Sequence, residues 1–113
     1  MSNPRKTDRL EQLQKLFAAD PNDADLPYMI ALDFAKAGDS VLALQWLDKT
    51  LTLNAHYHYA YFQKAKLLEE DGEGADALAV LDEGIQMATK AGDAKALGEL
   101  QELRTMMQDE HDA

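Results

Sequence analysis

The apolar residues of this chain recur at helical spacing in successive segments, which are separated by short polar breaks. Between residues 25 and 37 the apolar positions fall on one helical face, and "AGDS" then interrupts the pattern. Residues 41–53 resume the same spacing. Gly38 lies at the break, where a glycine can adopt the left-handed conformation that ends a helix. The pattern therefore predicts two helices joined by a tight turn.

The same arrangement returns 34 residues further along the chain, with helices predicted near 58–71 and 75–90. Identical residues then align at six positions, which are Ala31/Ala65, Gly38/Gly72, Ala43/Ala77, Leu44/Leu78, Leu47/Leu81 and Asp48/Asp82. These matches fall at the turn and at positions where two helices of a hairpin meet. A fixed period of this length is typical of helical repeat proteins.

The segments that flank the two copies also have helical spacing. Residues 7–19 carry one apolar stripe that ends before Asp20-Pro21, and residues 93–108 carry another. The chain is therefore predicted to contain an N-terminal half-repeat helix at 7–19, repeat 1 at 24–57, repeat 2 at 58–91 and a C-terminal capping helix at 93–108. The polar end "DEHDA", residues 109–113, is predicted to be a loose tail.

The repeat resembles the tetratricopeptide repeat (TPR) family, whose unit is an antiparallel helix pair of this length. The motif residues of the two copies are Ala31, Phe34, Gly38, Ala43 and Leu47, and then Ala65, Leu68, Gly72, Ala77 and Leu81. The copies depart from the family pattern at Pro27, Ala55, Gly84 and Thr89, whereas Tyr61 stands at the usual tryptophan position and is expected in the core. The resemblance, to small bacterial-type stand-alone TPR proteins, implies an all-α fold: a short right-handed TPR solenoid of about six antiparallel helices.

Composition narrows the functional classes. The chain has 113 residues, enough for one domain, and its 46% hydrophobic and 28% charged content is typical of globular proteins. No run approaches the roughly 18 apolar residues of a membrane span, and the polar start "MSNPRKTDRL" predicts no signal peptide, so we expect a cytoplasmic protein. The net charge of −10 argues against a nucleic-acid partner, which requires clustered basic residues.

Catalytic and metal-binding patterns are weak. The chain has no cysteine. His56 and His58 suggest a metal site, but residues two apart on a helix point in different directions, and a solvated turn is the favoured interpretation. The acidic stretch 71–76 lacks the ligand spacing of a calcium loop. We therefore expect no enzyme, no metal and no cofactor.

The stripes on the first helix of each repeat are the candidate partner-binding residues: Tyr28, Leu32, Lys36, Tyr59, Phe62 and Lys66. In TPR proteins such stripes line the concave groove, which Leu97, Leu100 and Arg104 would extend here. The resemblance thus implies a non-enzymatic adaptor that binds a peptide or a helix of a protein partner. The alternatives are that these residues belong to the core, or that they form a homodimer interface of a structural, self-associating module. Lys36 and Lys66 leave capture of an acidic peptide terminus open.

Overall fold

The computed structural model describes residues 6–112, and this part of the chain consists of six α-helices with no strand. The helices are α1 (Lys6–Ala19), α2 (Asp25–Lys36), α3 (Ser40–Leu53), α4 (His58–Glu70), α5 (Gly74–Ala91) and α6 (Ala94–Asp112). The predicted all-α fold class is confirmed. Residues 1–5, for which no signal peptide is predicted, and Ala113 lie outside the described residues. None of these six helices has the length and apolarity that a bilayer crossing requires.

The predicted helices agree with α1–α5 to within one residue at each end, but the predicted loose tail at 109–113 is wrong. Helix α6 continues through Asp112, so only Ala113 of that tail is left undescribed. Two contacts hold the last turn in place. The His111 Nε2 atom lies 3.0 Å from Glu69 Oε1, and the imidazole ring of His111 packs directly against Gly74. Polar residues thus extend the helix beyond its last apolar position.

The chain, predicted as one domain, divides into two compact units, residues 1–54 and residues 55–113. In the first unit α2 packs against both α1 and α3. In the second unit α4 and α6 both pack against α5 and also touch each other. The division falls close to the predicted end of the first repeat at residue 57.

The turns inside the two helix pairs have the same geometry. Gly38 and Gly72 both have a φ of +82°, which is the left-handed region that favours glycine. The residue after each glycine donates its N–H to a carbonyl five residues earlier: Asp39 to Phe34 at 3.0 Å, and Glu73 to Leu68 at 2.8 Å. This hydrogen bond is the hallmark of the Schellman motif that ends many helices. The repeat period therefore places equivalent stop signals in both pairs.

Three of the six identical pairs of the two repeats lie in the cores of the two units. The small residues Ala31 and Ala65 are 1% and 0% exposed, and both Ala43 and Ala77 are 0% exposed. Leucines occupy the next matched position, where Leu47 is 1% and Leu81 is 0% exposed. Alanine at the crossing points lets the helix backbones approach closely, and the leucines fill the space beside them.

The departures from the family pattern have structural explanations. Pro27 is buried in the first turn of α2, where a proline costs no intrahelical hydrogen bond. Tyr61 is 5% exposed, which confirms its predicted core position, and its hydroxyl donates a 2.8 Å hydrogen bond to the Ala55 carbonyl. Burial, with a further contribution from Glu83, raises the pKa of Tyr61. Gly84 is buried against the Tyr61 side chain, where no larger residue fits without movement.

Candidate partner-binding surface

In the first unit, the candidate residues lie along α2. Tyr28, Leu32 and Lys36 are four residues apart, so they share one face of the helix. Tyr28 and Leu32 are half-buried, whereas Lys36 is exposed at the last turn of the helix. The helix thus presents two partly covered apolar side chains followed by a cation.

In the second unit, the candidate residues lie along α4. The side chain of Tyr59 is 41% exposed, and its ring lies 4.0 Å from the ring of His58. Phe62 is half-buried, and the Lys66 ammonium lies 5.8 Å from the centre of the Phe62 ring. This distance is within the range of a cation–π interaction. The Lys66 side chain therefore covers part of the Phe62 ring, which lies one helical turn earlier on α4.

Phe62 and Lys66 open onto a groove between α4 and α6. The first part is a cavity of about 360 Å³, lined by Phe62, Lys66, Glu99, Glu102, Leu103 and Met106. The second part, of about 170 Å³, is lined by Lys66, Glu69, Glu70, Leu103, Met106, Met107 and Glu110. The two parts share three residues and form one continuous depression, which we call the α4–α6 groove. Tyr59 lines neither part.

None of the three α6 residues predicted to extend the site, Leu97, Leu100 and Arg104, lines the α4–α6 groove. Leu100 is 0% exposed and belongs to the core. Arg104 is turned toward α5, where its Nε donates a 2.6 Å hydrogen bond to Asp82 Oδ1, and this contact raises the pKa of Arg104. The groove is lined instead by a neighbouring stripe of α6, which includes Leu103 and Met106. A signal for this stripe exists in the sequence, because α6 carries more apolar residues than one helical face holds.

His58 is the first residue of α4, whose predicted start is confirmed, and its side chain is half-buried rather than solvated. Its Nε2 atom is buried and lies 3.7 Å from the equally buried Glu99 Oε1, and neither atom has a hydrogen-bond partner within the described part of the chain. His56, by contrast, is exposed in the turn before α4, as predicted. Among residues 6–112, no three histidine, aspartate or glutamate side chains come together as a group able to hold a metal.

The α4–α6 groove is apolar at its floor and acidic at its edges. Leu103 is half-buried and Met106 is 55% exposed, although both are large hydrophobic residues. Five glutamates and a single lysine line the two parts of the groove. At neutral pH the lining therefore carries an excess of negative charge.

A second depression, of about 280 Å³, lies in the first unit and is lined by Phe17, Gln45, Asp48, Lys49, Thr52 and Leu53. Trp46 beside it packs edge-on against Phe17, with ring centres 5.7 Å apart, and the Lys49 ammonium lies 5.1 Å from its ring. Trp46 thus joins α1 to α3 as a packing residue. This depression is smaller than the main part of the α4–α6 groove.

Comparisons with known proteins support the repeat assignment. No protein-family model matches the chain, and no curated protein matches it either. Solved structures, by contrast, are similar to the chain. A tetratricopeptide repeat domain protein from Salinibacter ruber has 27% identity and a TM-score of 0.73, over 80% of this chain and 91% of that one.

Two further structures are more distant in sequence and show the fold alone. The TPR2B domain of yeast Sti1, solved in complex with pHsp70, has 19% identity and a TM-score of 0.81 over 93% of this chain and 84% of its own. The type III secretion translocator chaperone SycD of Yersinia enterocolitica has 16% identity and a TM-score of 0.79. That match covers 96% of this chain and 75% of SycD.

Proposed function

We propose that this chain, a TPR-type protein, is a non-enzymatic protein–protein interaction module that holds a peptide or a helix of a partner. The residues proposed to contact the partner are Tyr28, Leu32, Lys36, Tyr59, Phe62 and Lys66. The observation that carries the proposal is the open apolar floor of the α4–α6 groove, which Phe62 shares with Met106.

The exposure of large apolar side chains supports a binding role. Tyr59 is 41% and Met106 is 55% exposed, whereas the matched core positions of the repeats are almost completely buried. Contiguous exposed apolar surface usually marks an interaction site. Aromatic residues at such sites often contribute about 2 kcal/mol or more each to binding. Tyr59 and Phe62 are therefore the residues of α4 expected to act as anchors.

Two residues of the described part of the chain with shifted pKa values lie outside the α4–α6 groove. Among the described residues, a clear pKa shift occurs at Tyr61 and at Arg104. Burial, and to a lesser extent Glu83, raises the pKa of Tyr61, and the hydrogen bond that Arg104 donates to Asp82 raises the pKa of Arg104. Active sites usually place shifted groups in a cleft, but neither residue lines the α4–α6 groove.

The structural matches include proteins with protein partners. The Sti1 TPR2B structure is a complex with pHsp70, and SycD is a translocator chaperone. By analogy, the present chain is proposed to act on another polypeptide rather than on a small molecule. This analogy rests on the fold and names no particular partner.

The test is an affinity capture from a lysate of the source cells, followed by mass spectrometry. The bait is the wild-type chain or the variant Tyr28→Ala/Tyr59→Ala/Phe62→Ala. We expect a specific protein that the wild type retains and the variant loses. A matched control, Leu16→Ala/Val41→Ala, removes apolar side chains that are 55% and 65% exposed but lie outside the candidate residues.

Far-UV circular dichroism of each bait shows whether it is folded. A folded triple variant that retains the same proteins as the wild type would remove the support for this surface. An unfolded triple variant would mean that the aromatic residues belong to the core.

The alternative function, a structural module that self-associates through the same stripes, is supported by the same exposed residues, Tyr59 and Met106. Sedimentation velocity over a range of protein concentrations distinguishes the two functions. A packed homodimer persists at low micromolar protein and is lost in the triple variant, whereas a partner-binding module sediments as a monomer throughout.

A further inference from the structure

We propose that the α4–α6 groove binds a basic segment of a partner protein, in which an apolar side chain is flanked by lysine or arginine. This inference rests on the proposed function and specifies the chemistry of the partner. It is carried by the combination of an apolar floor with acidic edges on both helices.

The dimensions of the groove fit a few side chains of a peptide. Its main part, of about 360 Å³, is at the small end of the range of roughly 300–1,000 Å³ seen for ligand pockets. Phe62, Leu103 and Met106 form the apolar lining, and Met106 is 55% exposed. A methionine surface adapts to different apolar shapes because its side chain is unbranched and flexible. A leucine, methionine or phenylalanine of the partner would be buried there.

The charges of the lining select against acidic partners. Carboxylates stand on both sides of the groove: Glu70 on α4 and Glu102 and Glu110 on α6 are exposed, whereas the half-buried Glu69 and Glu99 lie beside His111 and His58. An acidic segment would meet like charges on either side, whereas lysine or arginine would meet opposite ones. The net charge of −10 on the whole chain adds a longer-range attraction for basic partners.

The positive charge of Lys66 does not offset the negative charge of the groove lining. Its ammonium lies over the ring of Phe62 at 5.8 Å, and it is the one cation among the lining residues of the groove. The sequence leaves open that Lys66 captures an acidic terminus. With five glutamates around it, Lys66 is better suited to shielding Phe62 until a partner's apolar side chain replaces that contact.

The test uses fluorescence anisotropy with the full chain and three labelled synthetic peptides of equal length. The basic peptide places leucine and phenylalanine among lysines, the acidic peptide has glutamate in place of each lysine, and the third keeps the lysines but has serine in place of the apolar residues. We expect the basic peptide alone to bind, with an affinity that falls as salt concentration rises, because salt screens exposed charges.

Variants locate the binding site. Glu102→Lys and Met106→Ser change exposed lining residues, so both variants are expected to fold. Each is expected to weaken binding of the basic peptide by about tenfold or more, which corresponds to about 1.4 kcal/mol. Glu83→Lys makes the same charge change on α5, at an exposed residue that does not line the groove. We expect this control to bind within about twofold of wild type, since rim charges far from the contact matter little.

Each other outcome overturns the inference in a distinct way. Preferential binding of the acidic peptide would leave the proposed interaction function intact while reversing the partner's chemistry. Equal binding of the basic and the serine-containing peptides, or an equal loss in Glu83→Lys and Glu102→Lys, would mean attraction to overall charge rather than a site. If no peptide binds while the affinity capture succeeds, the partner is of another kind. If both fail, the proposed function fails as well.

Discussion

Gly84 is a point of close approach between α5 and the side chains of Tyr61 and Leu100, and its replacement by alanine tests how tightly the second unit is packed. A Cβ atom added at Gly84 would lie 2.9 Å from both Cβ and Cγ of Tyr61 and 3.1 Å from Cδ1 of Leu100. The backbone of α4 fixes the position of the Tyr61 Cβ atom, so a rotamer change cannot move that atom away. Helix α4 or α5 has to shift instead.

Two opposing effects set the magnitude for Gly84→Ala. Alanine is more favourable than glycine inside a helix by about 1 kcal/mol. Overpacking of a well-filled core costs roughly 1–3 kcal/mol. The variant is therefore expected to be less stable than wild type by roughly 0–2 kcal/mol. The same substitution in Gly98→Ala adds a Cβ that meets no atom within 4 Å, so this control is expected to gain about 1 kcal/mol.

The assay is urea denaturation followed by far-UV circular dichroism, with both variants compared to wild type. We expect the two substitutions to differ by roughly 1–3 kcal/mol in the free energy of unfolding, with Gly98→Ala the more stable. If Gly84→Ala stabilises the chain as much as Gly98→Ala does, α5 does not pack closely against Tyr61.

The remaining predictions concern two polar contacts. Tyr61→Phe removes the hydrogen bond to Ala55 and should lower the free energy of unfolding by about 1 kcal/mol at neutral pH. Because the pKa of Tyr61 is raised in the folded state, the unfolded chain ionises first above about pH 10. Wild type thus loses stability above that pH, and the difference in the free energy of unfolding between wild type and Tyr61→Phe becomes smaller. A difference that grows in urea titrations at alkaline pH would contradict this. Arg9→Ala removes the 2.9 Å contact to the Asp33 carboxylate, whose side chain is 7% exposed, while the arginine is 56% exposed. We expect a loss of roughly 1–3 kcal/mol in thermal or urea unfolding, since a buried carboxylate is left without this partner, and a loss below about 0.5 kcal/mol, as for ordinary surface substitutions, would refute it.

The fold was largely predictable because its strongest signals are local or periodic. The spacing of apolar residues defines the helices, and Gly38 and Gly72 define the turns inside the pairs. The end of α6 was not predictable in this way. Its last turn is held by contacts from His111 to Glu69 and Gly74, residues roughly forty positions earlier, and apolar periodicity carries no information on such polar contacts.

The candidate site was only partly predictable. Periodicity identifies Phe62 and Lys66, which the structure brings together in one groove, but it does not distinguish which of two adjacent faces of α6 lies beside them. Leu100 and Leu103 are both apolar and three residues apart, yet one is in the core and the other lines the groove. The way α6 packs against α4 and α5 decides which of the two leucines is buried. The proposed contacts on α2 and at Tyr59 stay predictions.

The distribution of the repeat identities has an evolutionary consequence. The matched alanines and the matched pair Leu47/Leu81 are almost completely buried, whereas the α6 residues that line the groove belong to none of the matched pairs. Surface substitutions away from special features usually change stability by less than about 0.5 kcal/mol. Under the proposed function, selection on the fold acts on one set of positions and selection on recognition on another. A lineage of such chains could then change its partner through point substitutions at the groove without passing through unfolded intermediates.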